Sequence, residues 1–563
     1  MSKSISKKFN NKPSPQSQIL AHINKHRPFY ILNLLLILLL FKNPFSGQNA
    51  ISNLEPFPDA SLYLNMARNI TDGEGFKITY KQFPLYSTIP PLYSLSLAPF
   101  YAIFDDPRSF YLTNLVLTLA SSFFFYQILL KLFKRKFVIF LLQLTFITSS
   151  IIFTYPVYAM SENLLICLFI ASVYLLTGQL SVIKSFTLGI LTTAFVSTKY
   201  VAWPLSLSLL TIFFVWVIIK KYTPSEKITL VFCYSASFLF SLILFLLADS
   251  YSKQQNIFEL IKIYSDSALS LTGLILKASD TSLNNVTTNP TFSTSYVSSN
   301  LLRYFAVFIG GTSSLAGKEL LTIPPLVGIA SLAGIILNPF TSKFKLVSSY
   351  LLLAFSTTLL FIIFFFANDI RYIFITIPFQ ILSFGILLNT LMQILESRKL
   401  TLSYYLILLI SFLAVTTSAY PHIKNQLLLN FFIPEYSRPY ETVNFYNQNF
   451  KNSLVQKPKI ITVLPPLMVD FYSDNNYDLL PFSRYQNFIT QPQIWNLPQN
   501  PDLINLYKEF LKNNQPIYLS NYLADSYYFS QAFLLYQQSF NLTEVSSGCS
   551  NRCKLYQLKL KSD

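Results

Sequence analysis

Four residues carry the chemistry that this chain suggests: Asp59, Glu162, Lys199 and Arg371. Asp59 follows a proline in an outer loop. Glu162 lies in Tyr158-Ala159-Met160-Ser161-Glu162-Asn163, Lys199 at the junction of two apolar stretches, and Arg371 in Asn368-Asp369-Ile370-Arg371-Tyr372. Ionisable groups at the ends of apolar segments are costly and point to function. Two carboxylates and two cations at one membrane surface suit an anionic lipid headgroup. The cations would bind its phosphate, and the acids would accept a proton or hold a hard metal such as Mg or Mn. Each residue also fits a structural role. Asp59 would cap a helix, Glu162 would cap its span, Lys199 would reach to headgroups, and Arg371 would pair with Asp369. Asp72 and Glu74 add acidic charge to the same outer loop as Asp59.

These residues need a frame, and composition says which kind. Hydrophobic residues make up 52% of the 563 and charged residues only 12%, about half the charge of a soluble domain. Most of the chain therefore belongs in lipid. With three His, a His-rich zinc site or a Ser-His-Asp triad is disfavoured. The chain has no GxGxxG and no GxxxxGK[ST], so nucleotide-cradling loops are not expected.

The expected fold is mainly α: a polytopic helix bundle of about 11 spans, at 29–42, 109–130, 137–153, 159–178, 185–199, 200–219, 228–249, 320–337, 346–367, 371–392 and 401–420. Pro90-Pro91-Leu92 opens a shorter apolar stretch that reads as a helix lying at the interface. The N-terminus reads as an uncleaved anchor, because no small-x-small cleavage pattern follows Phe41.

Net charge is +17, and topology accounts for most of it. With the N-terminus in the cytoplasm, the basic tail 1–28 carries Lys3, Lys7, Lys8, Lys12, Lys25 and Arg27 and no acid. Inside loops then hold Lys131, Lys134, Arg135, Lys136, Lys184, Lys220, Lys221, Lys227, Lys343, Lys345, Arg398 and Lys399. Only Glu226 and Glu396 oppose them. The excess thus follows the positive-inside rule and implies anionic-lipid contact, with no nucleic acid partner. The expected location is the cell (plasma or inner) membrane, with 29–420 as the membrane domain.

Three regions fall outside the cytoplasm on this reading: the loop 43–108, the loop 250–319 with an amphipathic stretch at 257–278, and the polar segment 421–563. The last alternates strand-like runs (459–464, 515–522, 554–560) with a helix-like one (502–512), as a small extracytoplasmic α/β domain would. Cys549 and Cys553 within it suit a local disulfide.

The order of short motifs resembles the GT-C glycosyltransferases, closest to the group containing protein O-mannosyltransferases and the lipid A aminoarabinose transferase. The resembling pieces are Asp59-Ala60-Ser61-Leu62-Tyr63-Leu64-Asn65-Met66-Ala67-Arg68, Gly73, Gly75-Phe76, Pro90-Pro91-Leu92-Tyr93, Ala98-Pro99-Phe100, Met160-Ser161-Glu162, Thr198-Lys199, and Arg371-Tyr372 followed by Pro378. The resemblance covers roughly 29–400. It implies inverting transfer of a hexosyl or pentosyl group from a polyprenyl-phosphate-sugar donor to a hydroxyl on a glycan, lipid or protein acceptor, on the non-cytoplasmic face. It makes Asp59 the catalytic carboxylate. Many relatives carry a second acid directly after it, whereas this chain has Ala60, so Asp59 is left to act alone or with Glu162. Lys199 and Arg371 would bind the lipid phosphate. No cofactor is required beyond a possible divalent metal, for which Asp59 and Glu162 are the candidates.

The alternative readings are a polytopic transporter or flippase of lipid-linked glycans, and an anchor that presents 421–563. A transporter should place polar or broken helices near mid-membrane, whereas the span centres here are apolar and the charges gather at one surface.

Overall fold

The computed structural model describes residues 26–41, 44–45, 59–80, 83–85, 89–149, 152, 155–270, 294–310, 312–315, 318–321, 323–364, 375–431, 438–451, 457–464, 466–482, 503–522 and 530–561. Six helices are long and apolar enough to cross a membrane: Pro107–Leu132, Tyr200–Ile219, Pro224–Lys253, Lys345–Ile362, Ile377–Ser397 and Thr401–Leu428. Shorter apolar helices occupy Arg27–Leu40, Lys136–Ile147, Glu162–Leu176, Val182–Thr198 and Pro325–Thr341. Each of the eleven expected spans thus meets a helix, but five of these helices are shorter than a bilayer-crossing length. The last helix runs on to Phe431, past the expected boundary at 420. The stretch after Pro90-Pro91 forms the 13-residue helix Leu92–Phe104.

Lipid-facing and buried surfaces separate by helix. Helices Pro224–Lys253 and Thr401–Leu428 expose large apolar side chains such as Phe232, Phe240, Leu402 and Leu409, the sign of a surface made for hydrocarbon. Helix Ile377–Ser397 is mostly buried within the bundle. Two loops expected on the same basic side do meet: Arg135 bonds Glu396 at 2.5 Å and Asn389 at 2.9 Å.

In the C-terminal segment five strands order as Asp478–Pro481, Lys459–Thr462, Ile517–Ser520, Cys553–Lys559, Asn541–Gly548. The first three are parallel and the last two antiparallel. The three expected strand-like runs and helix Leu503–Lys512 are all present. Strands Asp478–Pro481 and Asn541–Gly548 are additions to those expected. Cys549 and Cys553 form the expected disulfide.

Helices Val182–Thr198 and Pro224–Lys253 approach so closely at Gly189 that a Cβ there would sit 2.4 Å from the Tyr234 carbonyl oxygen and 2.1 Å from Ser237 Oγ. The backbone atom cannot step aside. Gly189→Val is therefore expected to destabilise the bundle by about 1–3 kcal/mol through overpacking, read as a lowered unfolding temperature in detergent. An unchanged temperature would show that the two helices separate freely.

Candidate active site

The first-loop helix Asp59–Thr71 begins at the candidate base, with Asp59 half-buried at its first position. A carboxylate there opposes the positive end of the helix dipole. Ala60 is 1% exposed and packs into the main core. A carboxylate at this position would have to be buried in apolar surroundings.

Two buried amides zip the following strand onto this helix. Asn65 Nδ2 donates to the Thr79 carbonyl, and the Thr79 amide donates back to Asn65 Oδ1, both at 2.8 Å. Asn69 Nδ2 donates to the Lys77 carbonyl at 2.9 Å, and Thr79 Oγ1 donates to Asn69 Oδ1. Asn69 thus has a structural role that buries it, although Asn69-Ile70-Thr71 reads as a glycosylation sequon. Gly75 has φ +79°, and a Cβ on it would meet Ser252 Oγ at 2.6 Å. Glycine is needed there both for the turn and for the close approach of the helix Pro224–Lys253.

Glu162 and Lys199 come together. Lys199 Nζ donates to Glu162 Oε1 at 2.6 Å, and both side chains are 5% exposed. Glu162 opens helix Glu162–Leu176. Lys199 follows helix Val182–Thr198, where the backbone turns extended before the short turn Tyr200–Ala202. Pro204 then restarts the helix at Trp203–Ile219. An acid at a helix N-terminus and a cation at a C-terminus are each at their favoured end. The pair lines a cavity whose other walls include Leu165, Val201, Leu205, Thr358, Ile362 and Ile375. Glu162 Oε2 is buried there without a hydrogen-bond partner among the described residues. The site is thus short of one donor on the acid side.

Sequence reasoning missed a tyrosine that stands beside this pair and feels the charge of both carboxylates. Tyr63 OH lies 3.0 Å from Ser161 Oγ, so Ser161, the residue before helix Glu162–Leu176, makes this link and no side-chain cap. Burial pushes the Tyr63 hydroxyl up, and the negative charges of Asp59 and Glu162 push it further. Tyr63 therefore remains protonated, as a hydrogen-bonding group between two carboxylates. Tyr93 packs edge-on against it at 5.0 Å and donates to Asn114 Oδ1. Asn114 Nδ2 holds the carbonyls of Pro156 and Tyr158 at 3.2 and 2.7 Å, which fixes the segment that delivers Glu162. One signal was available: Tyr63 lies one helical turn after Asp59, on the same face. Nothing in the sequence tied it to Ser161.

Of the other candidates, Arg371 and Asp369 lie outside the described residues. Asp72 and Glu74 stand exposed on the turn after the first-loop helix, with Glu74 3.8 Å from Lys77. Among the described residues no three His, Cys, Asp or Glu side chains are grouped to hold one, and Glu162 is already engaged by Lys199.

Lys199→Met would leave Glu162 buried and uncompensated, a loss of about 3–5 kcal/mol. Thermal unfolding in detergent should show it, and the double variant Glu162→Gln/Lys199→Met should recover much of it. A double variant no more stable than the single one would mean that the pair is not coupled.

No family model and none of the curated proteins compared matches the chain. The fold does match solved structures. ArnT from Cupriavidus metallidurans bound to undecaprenyl phosphate aligns over 97% of this chain and 98% of its own, with TM-score 0.59 and 11% identity. The apo state of the same protein aligns over 95% and 98%, with TM-score 0.58 and 11% identity. The Archaeoglobus fulgidus oligosaccharyltransferase in complex with Zn and sulfate aligns over 94% of this chain and 72% of its own, with TM-score 0.52 and 10% identity. The likeness is one of fold, and six helices of this chain are long and apolar enough to cross a membrane, as a multi-pass membrane protein requires.

Proposed function

We propose that the chain is a glycosyltransferase that moves a sugar from a polyprenyl-phosphate donor to a hydroxyl acceptor, on the non-cytoplasmic face and with inversion. The observation that carries this reading is the buried Glu162–Lys199 pair, with its partnerless Glu162 oxygen, in an apolar-walled cavity beside the helix that begins at Asp59. The neighbour with bound undecaprenyl phosphate supports a lipid-phosphate donor.

In this mechanism the acceptor hydroxyl attacks the anomeric carbon while Asp59 takes its proton. The bond from the anomeric carbon to the phosphate oxygen breaks, and its electron pair leaves with the lipid phosphate. Glu162 Oε2 accepts a hydrogen bond from the sugar or the acceptor and so orients it. Lys199 Nζ donates to Glu162, and its role toward the phosphate is electrostatic support shared with Arg371. A charge that grows on the leaving phosphate is stabilised most in a water-poor site. The apolar walls suit the prenyl chain.

The test compares envelope glycolipids and glycoproteins by mass spectrometry from cells that carry wild type or Asp59→Asn at equal membrane levels. Loss of a positioned base is expected to cut one sugar addition by roughly 10²-fold or more, with accumulation of the carrier-linked donor. A wild-type profile in Asp59→Asn, alongside an altered profile on deletion of the protein, would sink the reading.

A further inference from the structure

The C-terminal sheet bears on the first loop through one short helix. Helix Pro466–Tyr472 comes just after strand Lys459–Thr462, the middle one of the three parallel strands. Asp470 Oδ2 accepts a hydrogen bond from Arg68 Nη2 at 2.7 Å across 402 residues of sequence. The Arg68 guanidinium also lies over the Phe471 ring at 5.0 Å. Beside this polar contact Leu467, Met66 and Ile78 form a fully buried apolar cluster. The short helix is itself braced, since Asn447 Nδ2 donates to the Tyr472 carbonyl at 2.7 Å and Tyr477 OH donates to Asn447 Oδ1.

The carboxyl ends of parallel strands are the usual ligand crevice of such sheets. Here Tyr446 OH closes that crevice by bonding both Thr462 Oγ1 and Ser520 Oγ, with all three residues buried. On the other side of the contact, the first-loop helix carries Asp59 at its start and reaches Ser161 through Tyr63.

We infer that Arg68 and Asp470 are positioning residues: through them the C-terminal domain holds the first-loop helix so that Asp59 stands in register with Glu162. The inference rests on the transferase reading above. Neither residue touches substrate. Small displacements of a catalytic group lower turnover steeply while leaving ground-state binding intact.

The test uses the full-length protein in lipid nanodiscs and in cells. The variants are Arg68→Met, Arg68→Lys and the exchange Arg68→Asp/Asp470→Arg. Arg68→Met is expected to speed amide exchange in residues 59–71 about tenfold and to lower the Asp59-dependent glycan by roughly 10²-fold. Its affinity for undecaprenyl phosphate should stay within about twofold of wild type. Arg68→Lys and the exchange should restore most of both. Wild-type exchange or wild-type product in Arg68→Met would overturn the inference. So would a parallel loss of undecaprenyl phosphate affinity, or a defect that neither restoring variant relieves. If the wild type makes no Asp59-dependent glycan, the transferase reading fails, and the exchange measurement alone then decides whether the latch holds the helix.

Discussion

The structure turns on one ion pair that cannot be taken apart cheaply. Glu162 and Lys199 are both withdrawn from water, and each compensates the other at 2.6 Å. Neither charge would be tolerated there alone. Three helices must therefore end or begin at one place: Glu162–Leu176 starts there, Val182–Thr198 ends there, and Trp203–Ile219 restarts one short turn later. The break between the last two is what turns the Lys199 side chain inward. A continuous helix through residue 199 would leave the cation on its own cylinder, without the extended residue that frees it to reach its partner.

Beside that pair Tyr63 bonds Ser161, the residue just before Glu162, and feels the negative charges of both Asp59 and Glu162. A buried polar group is stable only when it is satisfied, and Glu162 Oε2 is left without a partner among the described residues. The missing partner is a donor. A hydroxyl-bearing substrate supplies one, and bulk water is kept back by Leu165, Leu205, Ile362 and Ile375. The same reasoning sets Lys199 in a different light from that of a free phosphate-binding cation. Its charge is balanced in the resting protein, so its pull on an incoming phosphate is that of a dipolar pair with a cationic end.

Much of the frame was legible in the sequence because lipid imposes a simple rule on residue type. Apolar stretches had to become helices, and each expected span met one. Lengths were less legible. Lys136–Ile147 stops short of the expected 153 because the Thr148-Ser149 turn ends it, whereas Val182–Thr198 starts earlier than expected and ends where Lys199 turns extended. At the site, Asp59, Glu162 and Lys199 stood out because charge is rare in this chain. Their pairing did not, since contact between residues 37 positions apart depends on how two helices cross. Tyr63 and Arg68 were hidden for the opposite reason. Tyrosine is abundant here, at 36 residues, and an arginine in an outer loop looks ordinary until its partner arrives from the far end of the chain.

That distance has a consequence for biosynthesis. Arg68 is made 402 residues before Asp470. At about 5–20 residues per second, some 20–80 s pass between them. The first-loop helix therefore emerges, folds back on its strand through Asn65 and Asn69, and waits while nearly the whole bundle is inserted. Only the last quarter of the polypeptide completes its support. A truncated or prematurely released product would possess every candidate catalytic residue and still lack the part that holds the first of them in place.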